Sequence, residues 1–191
     1  GSARTTDLDL YFRNLDGTAT WHRELTPGCG SLRTQVKITN VSMSGGMIIQ
    51  SFKVVCLLGD ERVYTMDTVF GFFPKVALEN QIGLPSSPEQ KALLTDAAPI
   101  SVDLRRRPAR FCAAEPRLPG PMLLMLDRVG IWDEGGAKGL GRLRGEKDVD
   151  PKEWFFKAHF FQDPVQPGSL GLEAFVQLLQ VFMLHRGMAE G

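Results

Sequence analysis

Alternating apolar and polar positions fill the first part of the chain and predict β-strands. The segment 32–43 (LRTQVKITNVSM) places β-branched residues at alternate positions, and 47–58 and 62–73 repeat this period. The short turns Ser-Gly-Gly and Gly-Asp-Glu separate these segments, and a weaker alternation at 18–25 precedes them. Consecutive strands joined by such turns predict an antiparallel meander rather than β-α-β units.

Proline dominates the middle of the chain and breaks this pattern. Residues 83–115 show no sustained periodicity and predict a linker. Two strand-like stretches follow, and then a helix from about Leu170 to His185. The sequence therefore predicts a strand-rich segment at 1–82, this linker, and a second ordered segment at 116–191.

The last helix is apolar on nearly every side, which predicts that it is buried. Its polar exceptions Glu173, Gln177 and Gln180 lie at i, i+4 and i+7 and therefore share one stripe. Glu173 falls in the first turn, where a carboxylate also supports a helix N-terminus. A structural role for Glu173 is thus the alternative to a chemical one.

A histidine and a sharp turn precede this helix. Between His159 and Glu173 lies the segment 163–168 (DPVQPG), which restricts the backbone and permits close approach of the chain. The turn can bring the imidazole and the helix N-terminus to one cavity. The spacing leaves open whether Glu173 meets the histidine of its own lobe or of a neighbour. A histidine, a helix N-terminus and a carboxylate supply the groups that remove a proton beside a carbonyl.

Composition argues against several other classes of protein. Lysine and arginine together number 22, as do aspartate and glutamate, so a net charge of zero disfavours broad nucleic-acid or membrane-surface binding. No apolar run is long enough to span a membrane, and the three scattered cysteines suggest neither a metal site nor a disulfide framework. A soluble cytoplasmic protein is expected. The basic segment 103–110 (DLRRRPAR) is either a solvated linker or a docking site for an acidic partner.

A family resemblance rests on the segment 154–180 (WFFKAHFFQDPVQPGSLGLEAFVQLLQ). It closely resembles the active-site segment of the hot-dog β-hydroxyacyl-acyl-carrier-protein dehydratases, above all the β-hydroxydecanoyl type, whose pattern is H-F-x-x-D-P-V-M-P-G-x-L-G-L-(D/E)-A. The stretches SGGMIIQSFKVV and VYTMDTVFGFFPKVALENQIGL resemble dehydratase regions of polyunsaturated fatty acid synthases and iterative polyketide synthases. The resemblance implies an α+β hot-dog fold, in which a curved antiparallel sheet wraps one long helix.

The order of the elements departs from that of a complete hot dog, whose long strands follow its helix. Here strands of that type come first and the helix comes last. We expect the second half of one hot dog after the first half of another, as in part of a double hot dog or in a permuted or split one. Gln166 replaces the usual methionine, and Glu173 stands where the nearest relatives often have aspartate.

The resemblance implies a role for each matching residue. His159 would be the base, Glu173 the acid, and the Gly168 N–H the donor to the developing enolate oxygen. The carbonyl of Val165 would orient the histidine ring. The residues expected to contact the substrate are Val165, Phe160, Phe161 and Gln177.

The implied activity is dehydration of a 3-hydroxyacyl thioester to a 2-enoyl thioester, without metal or redox cofactor. The substrate would arrive on the phosphopantetheine arm of an acyl carrier protein, next to other synthase domains, with a homodimer or double hot dog expected. Neither nucleic acid nor membrane is an expected partner. The docking candidates for the acidic carrier are Arg105, Arg106, Arg107 and Arg110. The alternatives are a non-catalytic hot-dog module for assembly or carrier docking, and a hot-dog acyl thioesterase.

Overall fold

The computed structural model describes residues 8–160 and 163–188 and contains two compact units, which divide between Gly83 and Leu84. The first unit is a four-stranded antiparallel sheet with strand order β1-β4-β3-β2. Its elements are β1 (Leu10–Trp21), β2 (Leu32–Ser44), β3 (Met47–Leu58), β4 (Glu61–Pro74) and the short helix α1 (Lys75–Glu79).

Two tight hairpins set the register of this sheet. Gly45 and Gly46 both have positive φ and join β2 to β3, as the twist of a two-residue hairpin requires. The predicted meander is present as β2-β3-β4. Strand β1 begins at Leu10, well before the predicted alternation, and it pairs with β4. There the Phe12 and Phe70 rings stack with 4.8 Å between their centroids. The two residues lie far apart in the sequence, so local alternation does not reveal this contact.

The second unit combines a three-stranded antiparallel sheet, ordered β5-β6-β7, with one long helix. Its elements are α2 (Pro88–Thr95), β5 (Ile100–Asp103), α3 (Ala109–Cys112), β6 (Arg128–Trp132), β7 (Arg142–Glu146), α4 (Trp154–Ala158) and α5 (Gly168–His185), with short 3-10 helices at Leu104–Arg106 and Pro121–Leu123.

The proline-rich stretch differs from the linker that the sequence predicts. A capping box between Ser87 and Gln90 caps the N-terminus of helix α2, and β5 is a strand of the three-stranded sheet. Leu104 and Phe111 are buried in the core beside Val129 of β6. These elements are too short to show a period in the sequence, and tertiary burial holds them in place.

Helix α5 packs one side onto this core. Val181 is fully buried, and Leu178 lies against Gly145 of β7. A Cβ at Gly145 would lie 3.5 Å from Leu178 but only 2.8 Å from the Leu126 side chain. The sequence predicts burial all round, but the Leu172 and Phe175 side chains are 67% and 71% exposed. The three short strands of this unit are too narrow to cover the opposite face of the helix.

The observed elements confirm the predicted α+β class, since antiparallel sheets accompany one long helix. Among the described residues, no helix is both long enough and apolar enough to cross a membrane.

Candidate active site

The position of His159 follows from the end of α4. The residue forms the C-cap of that helix, and its backbone N–H donates to the Phe155 carbonyl at 3.0 Å. Its ring Nδ1 lies 3.0 Å from the Val165 carbonyl oxygen. A carbonyl only accepts hydrogen bonds, so Nδ1 carries the hydrogen and a neutral ring leaves the lone pair on Nε2. The hydrogen bond predicted between Val165 and His159 is confirmed.

The chain between His159 and α5 turns back within a few residues. Phe160 and Asp163 form an isolated antiparallel bridge, and the Val165 N–H donates to the Asp163 carbonyl at 2.9 Å. The Phe160 ring stacks on the His159 ring, with 3.9 Å between centroids and 19° between planes. The imidazole is therefore fixed by a hydrogen bond at its edge and an aromatic ring on its face. Phe161 lies outside the described residues.

Gly168 opens α5, directly after Pro167 at the N-cap. The Pro167 side chain caps no backbone N–H, and first-turn N–H groups have no partner within a helix. A Cβ at Gly168 would meet no described atom within 4 Å. The helix dipole and these donors make the end of α5 suitable for a developing negative charge.

Glu173 is held by Gln177, one turn further along α5. The Gln177 side chain is fully buried, and its Nε2 donates to Glu173 Oε1 and to the Leu123 carbonyl, each at 2.8 Å. Its Oε1 accepts from the Met125 N–H, also at 2.8 Å. Reversing the amide would set its NH₂ against a backbone N–H, so only this orientation satisfies all three partners. The carboxylate of Glu173 is fixed at one oxygen.

One short segment after α3 anchors both helices of the site. The Trp154 Nε1–H of α4 donates to the Met122 carbonyl at 2.9 Å. The neighbouring Leu123 carbonyl and Met125 N–H bind Gln177 of α5, as described above. Helix α4, which ends at His159, and helix α5, which carries Glu173, are therefore both hydrogen-bonded to the backbone of the same short segment.

His159 and Glu173 are each held by their own neighbours. Between the residues that the structure describes, no hydrogen bond joins the two side chains. Sequence reasoning missed the hydrogen bonds by which Gln177 joins Glu173 to the segment after α3. The spacing Glu-x-x-x-Gln on one helix face does indicate the side-chain contact, but it does not indicate the two backbone partners.

The four arginines suggested for carrier docking are partly engaged within the second unit. Arg105 pairs with two carboxylates, and its guanidinium holds the pKa of Asp103 below its ordinary value. Arg107 and Arg110 donate to backbone carbonyl oxygens. Arg106 has 86% of its side chain exposed and lies 3.6 Å from Asp103. In the described part of the chain, no three metal-ligating side chains cluster as a metal site would require.

The family model of the FabA-like domain matches residues 118–191, which contain α4, the turn and α5. These residues belong to the FabA-like family. The match confirms the hot-dog class predicted for the chain. The histidine, the glycine of the turn and the glutamate described above all lie inside this FabA-like region.

Two further comparisons extend beyond the FabA-like region. The chain is 30% identical to a polyunsaturated fatty acid synthase subunit of Thraustochytrium sp. over 95% of its own length. It spans only 13% of that relative. The crystal structure of the ChsH1-ChsH2 complex from Mycobacterium tuberculosis is similar over 34% of this chain and 40% of that one, with 22% identity and a TM-score of 0.31.

We predict that Gln177→Leu destabilises the FabA-like region. Leucine fills a similar volume but leaves the Leu123 carbonyl and the Met125 N–H without their partner, which lowers the free energy of unfolding by roughly 1–3 kcal/mol. The matched control is Gln180→Leu on the same helix, where the side chain is exposed and a change within about 0.5 kcal/mol is expected. Denaturant unfolding measures both. An equal change in the free energy of unfolding for the two substitutions would contradict this role of Gln177.

Proposed function

We propose that the FabA-like region dehydrates a 3-hydroxyacyl thioester to a 2-enoyl thioester. The observation that carries the proposal is the hydrogen bond from His159 Nδ1 to the Val165 carbonyl. It leaves Nε2 of the neutral ring as a base, the form needed to remove the proton beside a thioester carbonyl. The FabA-like match and the fatty acid synthase relative support the same class of reaction.

Each group then has one task in the reaction. His159 Nε2 takes the proton from C2, and the electron pair delocalises onto the thioester oxygen. The Gly168 N–H at the start of α5 stabilises that oxygen. Protonated Glu173 gives its proton to the 3-hydroxyl, the C3–O bond breaks and water leaves. The proton on the imidazole returns to the carboxylate through solvent, which completes the cycle.

Gln177 acts in this proposal through Glu173. Its amide bonds are all made within the protein, so we assign it to positioning rather than to the direct substrate contact expected from the sequence. Because it holds Oε1, it leaves Oε2 of Glu173 for the departing hydroxyl. Val165, Phe160 and Phe161 remain the predicted substrate contacts. The Phe160 ring covers one face of the imidazole, whereas the Nε2 lone pair that takes the proton lies in the plane of the ring.

The substrate is proposed to arrive on the phosphopantetheine arm of an acyl carrier protein, within a larger synthase. The fatty acid synthase relative, of which the chain spans 13%, supports this setting. We further propose that a second hot-dog lobe, from a second copy or a neighbouring domain, completes the site. The exposed apolar side chains Leu172 and Phe175 of α5 support this, because such a lobe would cover them. The chemistry itself needs no metal or redox cofactor.

We predict that the chain converts a 3-hydroxyacyl thioester of acyl carrier protein to a product lighter by one water. His159→Ala lowers this rate by at least about 10²-fold, because a general base contributes about that much. Glu173→Gln keeps the acceptor for Gln177 but has no proton to give, so it lowers the rate similarly. His22→Ala, which changes an exposed histidine of the first unit, is the control and retains activity. Intact-protein mass spectrometry of the carrier measures the conversion.

The same experiment separates the alternatives. Release of free acid from the carrier would identify a thioesterase. Unmodified substrate after incubation with folded wild-type protein would contradict the proposal and favour an assembly or docking module. Folding is checked by circular dichroism.

We predict that Gly168→Ala folds normally but turns over slowly. The added Cβ meets no described atom, so the free energy of unfolding is unchanged or rises by up to about 1 kcal/mol. The methyl group obstructs the approach of the thioester oxygen to the helix N-terminus, and the loss of one such donor costs about 10²-fold in kcat. Ser169→Ala is the control, since it alters the next side chain without adding a Cβ. Equal kcat for the two variants would show that the methyl group obstructs nothing, and would contradict the proposed approach of the thioester oxygen to this N–H.

A further inference from the structure

Three charged side chains meet between the sheet and α4. The Lys147 ammonium lies 2.6 Å from Glu153 Oε1 and 3.2 Å from Asp127 Oδ1. The three side chains are only 23%, 23% and 11% exposed. The ammonium is therefore largely removed from water and paired with two carboxylates, which favours a fixed geometry over a fluctuating surface pair.

Asp127 is the rigid end of this bridge. Its backbone N–H donates to the Glu146 carbonyl and its carbonyl accepts from the Leu104 N–H, both at 2.8 Å. Its Oδ2 accepts from the Asp148 N–H at 2.7 Å. The carboxylate is thus fixed where β6 begins and β7 ends. Lys147 joins Glu153 to this fixed carboxylate.

Glu153 is the end of the bridge at α4, because it directly precedes that helix. Its side chain makes no cap hydrogen bond to the helix and is directed to Lys147 instead. Helix α4 has five residues, too few for a helix to be stable without tertiary contacts. Its anchors are the Lys147–Glu153 pair, the Trp154 hydrogen bond to Met122 and the buried Phe155 ring.

We propose that Lys147 is a positioning residue for His159. By holding Glu153 to Asp127, it sets where α4 begins, and His159 is the residue at which α4 ends. Without the bridge, the residue that precedes α4 loses its contact with the sheet, and the imidazole moves away from the Val165 carbonyl that fixes its tautomer. This inference rests on the proposed role of His159 as the base.

The bridge is a permanent feature of the site at neutral pH. Burial alone would lower the pKa of the Lys147 ammonium, but its hydrogen bonds to Glu153 and Asp127 outweigh burial and raise the pKa above the ordinary lysine value. A raised lysine pKa contributes stability that is complete below the ordinary value and is lost only as the pH rises through the folded value. Lys147 therefore keeps its charge across the neutral range.

The test compares three variants of the full chain. Lys147→Met keeps the length of the side chain and removes its charge, whereas Lys147→Arg can still join the two carboxylates. Lys152→Met makes the same change of charge at an exposed position before α4 and is the matched control. The first readout is the tautomer of His159, from ¹⁵N shifts of histidine-labelled protein, with the signal assigned by its loss in His159→Ala. The second is the separation of kcat from KM for the 3-hydroxyacyl thioester.

We expect wild type, Lys147→Arg and Lys152→Met to hold His159 as the Nδ1–H tautomer. In Lys147→Met, the Nε2–H tautomer that free imidazole side chains prefer gains population. Its kcat falls by about tenfold or more at nearly constant KM, since misplacing a catalytic group by about 1 Å can cost about 10²-fold. A merely structural lysine would lower thermal stability without changing the tautomer of His159.

An unchanged His159 tautomer in folded Lys147→Met would overturn the proposal. If Lys147→Met does not fold, Glu153→Gln replaces it, because it weakens the same bridge while leaving Lys147 with Asp127. Glu153→Gln is expected to shift the tautomer in the same direction, and no shift would again overturn the proposal. The tautomer is read without turnover. A wild-type protein with the Nδ1–H tautomer but no dehydration would count against the proposed function alone.

Discussion

The buried amide of Gln177 is the contact on which the rest of the candidate site depends. It satisfies two backbone groups of the segment after α3 and one oxygen of Glu173, and its own hydrogen-bonding groups are used in one orientation only. Removing the hydrogen-bond partners of a buried amide lowers the free energy of unfolding far more than removing those of a surface amide. Because one side chain binds both the segment after α3 and Glu173, the position of α5 and the orientation of the Glu173 carboxylate are set together.

The histidine side of the site is built from the same segment by different means. Helix α4 is short, so its place comes from an indole hydrogen bond to Met122, a buried ring at Phe155 and the charged bridge through Lys147. The turn then returns a backbone carbonyl, at Val165, to the ring of His159. Backbone groups thus fix the imidazole and, in the proposed reaction, supply the oxyanion donor, so the turn depends on its φ angles more than on particular side chains.

Much of this could be predicted from local sequence, and the failures share one cause. The three hairpin strands have long alternating patterns and α5 has a long apolar run, and α5 begins at Gly168, two residues before the predicted start. The family pattern at 159–173 predicted the Val165 hydrogen bond. The ordered elements at 88–112 have no period, since they are held by the burial of residues such as Leu104. The exposed face of α5 was missed because the width of a sheet depends on distant strand pairing.

The central claim is that Nε2 of His159 removes the proton from C2 of the substrate. Its most direct test is to equilibrate a 3-hydroxyacyl thioester with the chain in heavy water and to locate deuterium in the recovered 3-hydroxyacyl thioester. We predict deuterium at C2 with the wild type and none with His159→Ala. Deuterium at C2 to the same extent with both proteins, or loss of water by the wild type without any deuterium at C2, would contradict the claim.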